Sequence, residues 1–197
     1  MAQNPQKATR NSSVLITRIV FGAVMAAMVY VVTLFRFPLG ESKVHFANAV
    51  CLLAGMFLGP VQGGFAAGLG SGLYDAFHGY DFINVLITFV SKFAMAWVCG
   101  KVFRAFGEKR NRIDRLAIAS ASGALTYVAL YMLKTFIYQK FVYGFPMDAV
   151  WVTMVGKLVP SLINAAVAVV AAPIFYHAVL PALKAGGVMK TLEEAER

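Results

Sequence analysis

Thirty-six residues, His45 to Tyr80, constrain this chain more than any other stretch: HFANAVCLLAGMFLGPVQGGFAAGLGSGLYDAFHGY. They include eight glycines, one proline and a single carboxylate, Asp75. An interior glycine costs a soluble helix ~1 kcal/mol relative to alanine. In a bilayer, lipid gives helices no hydrophobic reason to associate, and small residues let their backbones come close enough for dispersion to hold them. The run therefore reads as a tightly packed helical hairpin in a membrane, broken at Gly59-Pro60.

Composition agrees. Of 197 residues, 59% are hydrophobic and 14% charged, and the mean hydropathy is +0.69. That length suits one domain of several spanning helices, with no room expected for a separate soluble domain. Cys51 and Cys99 lie inside apolar segments and form no CxxC, so they read as packing residues. Lys7 and Arg10 precede an apolar run from Val14, as in a secretion signal. The run continues to Phe35 and no small-residue cleavage site follows, so a retained first helix is expected.

A spanning helix needs ~20 mostly apolar residues. The predicted spans are 14–35, 46–59, 62–78, 82–103, 115–140 and 148–181. Arg36, Glu41 and Lys43 mark a polar loop containing the turn formers Pro38 and Gly40. The expectation is an all-α integral membrane protein of six helices: a tail at 1–12, a membrane domain at 13–183 and a tail at 184–197. Both tails read as solvated, with LEEAER able to form a short surface helix.

The net charge of +9 suggests nucleic acid, but its distribution does not. With six spans, one side holds Lys7, Arg10, Arg18, Lys101, Arg104, Lys109, Arg110, Arg112, Arg115, Lys184, Lys190 and Arg197. The other side holds only Arg36, Lys43 and Lys140. Cytoplasmic loops carry the lysine and arginine excess, so both termini are expected in the cytoplasm. Two basic tails also require an even number of crossings, which keeps the glycine-rich hairpin as two helices.

Lys92, Lys134 and Lys157 fall inside predicted spans. A charge at the bilayer centre costs ~2.5–3.5 kcal/mol or more, so it faces a cavity or a partner. Lysines near an end can instead snorkel. At 1.5 Å per residue, Lys92 and Lys157 lie ~15 and ~14 Å from the outer surface, and Lys134 ~9 Å. Each belongs to a stripe at helical spacing. These stripes are Asn84, Thr88 and Ser91/Lys92; Tyr127, Tyr131, Lys134 and Tyr138; and Thr153, Lys157, Ser161 and Asn164. A tyrosine stripe alone is as often core as site. Three polar stripes at similar depth describe an outward-open pocket whose lysines favour an anion and whose tyrosines favour a flat ring.

Asp75 is expected to pair with one of these lysines, and the hairpin itself to be chiefly scaffold. His45 and His78, with Asp75, are the side chains an embedded enzyme would use, but no HExxH supports a metal. The loop from Pro38 to His45 suits a lid over the outer face. There is no GxxxxGK followed by Ser or Thr, since Gly156-Lys157 precedes Leu158, so no ATPase is encoded here. The two halves show no shared pattern of the kind inverted-repeat transporters carry. Small-xxx-small spacings recur at Ala23/Ala27, Gly55/Gly59, Gly64/Gly68 and Gly68/Gly72. Most read as internal packing, and one patch is left to meet another membrane protein.

The His45–Tyr80 run, followed by Ser91-Lys92, resembles the substrate-binding S components of energy-coupling factor (ECF) vitamin transporters, in the riboflavin-transporter-like branch. Ala23-xxx-Ala27 resembles the alanine motif by which that family contacts its transmembrane coupling (T) subunit. The resemblance implies a bacterial plasma-membrane protein that binds a vitamin from outside beneath a closing loop. It also implies toppling of the protein against the T subunit and two cytoplasmic ATPases as the source of power. The expected ligand-contacting set is Lys43, His45, Asn48, Asp75, Asn84, Thr88, Lys92, Tyr131, Lys134, Lys157, Ser161 and Asn164, with no catalytic residue, metal or cofactor. Ala23 and Ala27 are expected at the partner-subunit interface. The alternatives are an embedded enzyme using Asp75, His45 or His78, and a stand-alone small-solute transporter.

Overall fold

The computed structural model describes residues 5–35, 37–39 and 42–194; the side chains of 5–11, 38–39, 42–44 and 193–194 lie outside that description. Helix α1, Pro5–Leu34, turns Leu15, Ile16, Ile19, Val20 and Val24 outward and buries Met25 and Val29. A hairpin follows, β1 (Phe37–Leu39) and β2 (Ser42–Val44), paired antiparallel with Phe37 opposite Val44. The sequence predicts only a polar loop here. Three residues per strand are too few for an alternating pattern to register. Arg36, Gly40 and Glu41 lie outside the described residues.

The glycine-rich run folds as α2 (Ala47–Leu58) and α3 (Pro60–Phe77). Gly59 alone separates them, at φ 85°, a conformation only glycine adopts readily. Pro60 then starts α3, where its missing N–H costs nothing. The Arg104 guanidinium occupies the space a Gly59 side chain would take. The predicted break at Gly59-Pro60 is therefore correct, but α2 is a shorter element than a span. Its 12 residues rise ~18 Å, against a hydrocarbon core of ~30 Å.

All residues of α2 are buried, with α1, α3, α4, α5 and α6 packed around it. Glycine makes this possible. A methyl group on Gly63 would sit 2.6 Å from Gly55 Cα, and one on Gly100 would sit 2.6 Å from the Gly55 carbonyl oxygen. A methyl on Gly123 would meet the Met95 carbonyl oxygen at 2.6 Å. These glycines therefore place α2, α3, α4 and α5 in backbone contact. Farther along α3, Gly64 and Gly68 receive the rings of Phe93 and Phe89 from α4.

Helix α4 is Phe82–Ala105, followed by a 3-10 turn at Gly107–Asn111 and α5 at Ile113–Ile137. A π-helical turn at Tyr138–Val142 ends α5, and α6 runs Met147–Ala185. Among the described residues, four helical segments are long and apolar enough to cross a membrane: Ser12–Leu34, Phe82–Ala105, Ile113–Val142 and Met147–Ala185. The C-terminal segment, expected to be solvated, forms α7 (Val188–Glu194) and buries Met189 and Leu192 against the bundle.

Polar contacts close the end of the bundle that carries the basic loops. Arg18 Nε donates to Gln62 Oε1 at 2.6 Å, and Tyr176 Oη donates to Asn111 Oδ1 at 2.7 Å. The Tyr176 ring stacks on Phe57 at 4.8 Å, and Arg110 lies over Phe103 at 5.6 Å.

At the opposite end Asp81 caps α4. Its carboxylate accepts from the Asn84 side-chain amide and, at 3.1 Å, from the Asn84 backbone N–H. These two hydrogen bonds hold its carboxyl below the ordinary carboxylate range. A depressed native value means the cap contributes fully above the unfolded-chain pKa and is lost as pH falls through the native one. We therefore expect the protection factors of amides in the first turn of α4, taken relative to the free-chain rate at each pH, to fall on acidification below about pH 4. Asp81→Ala should show the lower protection already at neutral pH, with no further acid step.

Candidate ligand-binding site

The end away from the basic loops opens into a cavity of about 400 Å³, within the range of pockets that enclose a small molecule. His45, Asn48, Asp75, Asn84, Thr88, Lys92, Tyr131, Lys134, Lys157, Ser161 and Asn164 all line it. Lys43 lies in β2, and its side chain is outside the described residues. Thr153, placed in the α6 stripe by spacing, is not among the lining residues; its hydroxyl donates to the Ala149 carbonyl.

Lys92 sits deepest. It is 4% exposed, its ammonium donates to Asn48 Oδ1, and it lies 3.7 Å from the centroid of the Tyr127 ring. Tyr127 and Tyr131 stack on each other at 6.2 Å with an interplanar angle of 18°, so the α5 face is a flat aromatic wall. Lys134, one turn on, lies 5.5 Å from the Tyr138 ring. Asp75 is within electrostatic range of Lys134, yet among the described residues it forms no ion pair with any of the three lysines. The expected pairing of Asp75 with one of these three lysines is therefore absent. Among the described residues, three ammonium groups and a single carboxylate line the cavity.

The hairpin is also more than scaffold. Asn48 of α2 holds Lys92, and Ser71 and Asp75 of α3 line the cavity wall. The N-terminus of α2 opens beside His45 and Asn48, so its positive dipole end adds to the lysine field. The exit of the β-hairpin is tied to α6, where the His45 backbone N–H donates to Asn164 Oδ1 at 3.0 Å. That bond fixes one end of the β-hairpin at the cavity edge.

The remaining lining residues, Thr33, Ser71, Tyr80, Thr135, Gln139 and Tyr143, escape sequence reasoning. Ser71 is camouflaged among glycines as a packing residue. Tyr143 lies five residues past Tyr138, off the helical spacing, and reaches the cavity through the π turn. His78 is not among the lining residues. Its ring stacks on Tyr74 at 3.8 Å and its Nδ1 lies 2.7 Å from the Tyr74 carbonyl. Among the described residues, no three His, Cys, Asp or Glu side chains gather in a metal-holding arrangement.

Ala23 and Ala27 both face outward on α1, while Met25 and Val29 face the bundle. The space between α1 and α3 is set by Gly70, where a methyl would meet Val29 Cβ at 2.8 Å.

A solved S component of a bacterial ECF transporter shares this fold, with a TM-score of 0.62 and 19% identity over 85% of this chain and 97% of that one. No curated protein matches the chain. The family model for the ECF-type riboflavin transporter, S component, matches residues 13–180, nearly the whole membrane-embedded part. The cavity-bearing helical bundle is thus a multi-pass membrane subunit that binds substrate for a transporter, and the chain belongs to the ECF-type riboflavin transporter S component family.

Proposed function

We propose that the chain is the substrate-binding subunit of an ECF-type importer for a small, water-soluble, ring-containing anion of the vitamin class. The observation that carries this reading is Lys92: an ammonium 4% exposed, with an amide oxygen and a ring face for partners and, among the described residues, no carboxylate. A buried charge is normally neutralised by a partner of opposite sign. A ligand carboxylate or phosphate supplies that partner, helped by Lys134 and Lys157, while its ring lies against the Tyr127–Tyr131 wall.

In this reading the chain crosses a bacterial plasma membrane six times, with α2 and α3 as the second and third crossings. The domain at 13–183 lies between two cytoplasmic tails. The basic end faces the cytoplasm and the cavity faces out, as the lysine and arginine bias favours. Ala23 and Ala27 meet the T subunit, and two ATPases bound to that subunit drive the cycle. A cysteine replacing Lys109 should then react with a membrane-impermeant maleimide only from the cytoplasmic side. One replacing Phe82, 79% exposed beside the cavity mouth, should react only from outside.

Binding is tested by calorimetry on purified protein with ring carboxylates and phosphates and their neutral esters. The acids should bind, and the esters should bind about tenfold or more weakly, the size of one charge-assisted contact. Lys134→Ala and Lys157→Ala should each cost a similar factor. Equal binding of acid and ester, or no binding of either, would overturn the proposal.

A further inference from the structure

We propose that the basic end of α4 is a site for an anionic phospholipid, with the lipid phosphate at Lys101 and an acyl chain on Trp97 and the apolar stripe behind it. The inference concerns the outer wall of the bundle and holds whatever the cavity binds. Its starting observation is where Lys101 points. The ammonium lies 5.4 Å from the centroid of the Trp97 ring, one turn back toward the middle of the helix. Both residues are exposed, Trp97 by 39%. Ile83, Leu86, Val90, Trp97 and Lys101 recur at helical spacing and all are exposed, so they form one stripe on the lipid-facing side of α4.

The depth of this lysine calls for a counter-charge. The 24 residues of α4 rise ~36 Å, against a hydrocarbon core of ~30 Å. Lys101 is one turn before Ala105, ~6 Å from that end, so a centred α4 puts its Cα ~3 Å inside the hydrocarbon edge. A lysine there can snorkel outward past the helix end. Lys101 instead folds back over Trp97, where a charge facing lipid needs a partner of opposite sign. The ring face contributes a cation–π contact but no net charge.

The described part of the chain supplies no such partner. Among the described residues, no carboxylate lies within ion-pair distance of Lys101 or Lys109. Glu108 and Asp114 are the carboxylates of residues 101–115, which carry six cations. Asp114 is taken by Arg112 at 3.2 Å and Arg115 at 3.5 Å. The other two arginines are turned to the protein: Arg104 fills the space beside Gly59, and Arg110 lies 5.6 Å from the centroid of the Phe103 ring. They add to the positive field without covering Lys101.

An anionic phospholipid matches both halves of this arrangement. Its phosphate lies at the headgroup boundary, at the height of Lys101, and its chain runs toward the bilayer centre along Trp97, Val90 and Leu86. Phosphatidylglycerol brings a net negative charge into the field of the neighbouring arginines. Phosphatidylcholine brings the same phosphate with a choline cation, which that field repels. One lysine or arginine at a membrane surface favours acidic lipid by roughly fivefold.

The test uses the chain's two tryptophans as reporters. Trp151→Phe leaves Trp97 as the emitter. Trp97→Phe leaves Trp151, which is 57% exposed at the cavity end with Asp148 and no lysine or arginine one turn away. Each variant of the full chain is reconstituted in vesicles of phosphatidylcholine and phosphatidylglycerol at fixed composition, with one lipid or the other brominated on its acyl chains. Bromine quenches a tryptophan that it touches. Brominated phosphatidylglycerol should occupy the Trp97 position about fivefold more strongly than brominated phosphatidylcholine. Trp151 should show no such preference. Lys101→Gln in the Trp151→Phe background should abolish it, and Lys101→Arg should keep it. Equal quenching of Trp97 by the two lipids, a preference that survives in Lys101→Gln, or the same preference at Trp151 overturns the proposal. So does loss of the preference on adding inorganic phosphate, which would assign the site to a soluble anion. Should Lys101→Gln fail to reconstitute, the contrast between Trp97 and Trp151 still decides.

Discussion

Gly63→Leu is expected to yield no folded protein, and Gly63→Ala to lower the unfolding temperature by roughly 5–10 °C. A Cβ at this position meets backbone only: it falls onto the Ala54 carbonyl and lies 2.6 Å from Gly55 Cα. Backbone cannot rotate aside, so α2 and α3 must separate. Overpacking of this kind costs ~1–3 kcal/mol for one methyl and more for larger groups. In a bilayer nothing but close packing restores the lost contact. Gly64→Ala is the internal control, because its Cβ meets the Phe93 ring at 2.8 Å, a side chain able to shift. Gly22→Ala, with nothing within 4 Å, should be neutral or slightly stabilising through helix propensity. Thermal unfolding in detergent should rank the three variants in that order. Equal melting of the Gly63→Ala and Gly64→Ala variants would refute the backbone-contact argument.

Lys92→Met should lower anion affinity by ~100-fold or more while leaving the empty protein as stable as wild type, or more so. The two effects share one cause. In the empty cavity the ammonium is buried with no counter-charge among the described residues, and an unbranched apolar side chain of similar length removes that penalty. Asn48 loses a donor, which offsets part of the gain. In the complex, the ligand's anionic group would be left buried without its deepest partner, a far costlier loss. Titration calorimetry and thermal unfolding on the same preparation separate the two readouts. A variant that melts early, or one that binds anions as tightly as wild type, would show that Lys92 is a structural residue.

Much of this was legible in the residues because membrane helices carry periodic signals. The stripes on α4, α5 and α6 repeat at helical spacing, and their lysines do line one cavity. The glycine-rich run announced close packing, and Gly55, Gly63 and Gly100 supply it. What escaped was set by departures from regular geometry. The π turn shifts the register after Tyr138, so spacing alone points to Phe141 or Val142 where Tyr143 belongs. Ser71 and Thr33 are small polar residues in apolar helices, and nothing local separates a packing role from a lining one. Asn48 was expected in the ligand-contacting set, but its bond to Lys92 depends on where α2 begins relative to its neighbours, which is a property of the assembled bundle.

The shortness of α2 bears on how a water-soluble molecule can be held inside a bilayer. On the proposed topology, its ~18 Å leaves ~12 Å of the hydrocarbon thickness unfilled above its N-terminus. That missing length is where Asn48 meets Lys92, at the floor of the cavity. The cavity was therefore not carved between full-length helices. It is the part of a crossing that the chain never built, ringed by five longer neighbours that keep lipid out. Lengthening α2 by one turn at its N-terminus should act as a stopper, abolishing the proposed uptake while leaving every cavity-lining side chain of α4, α5 and α6 unchanged.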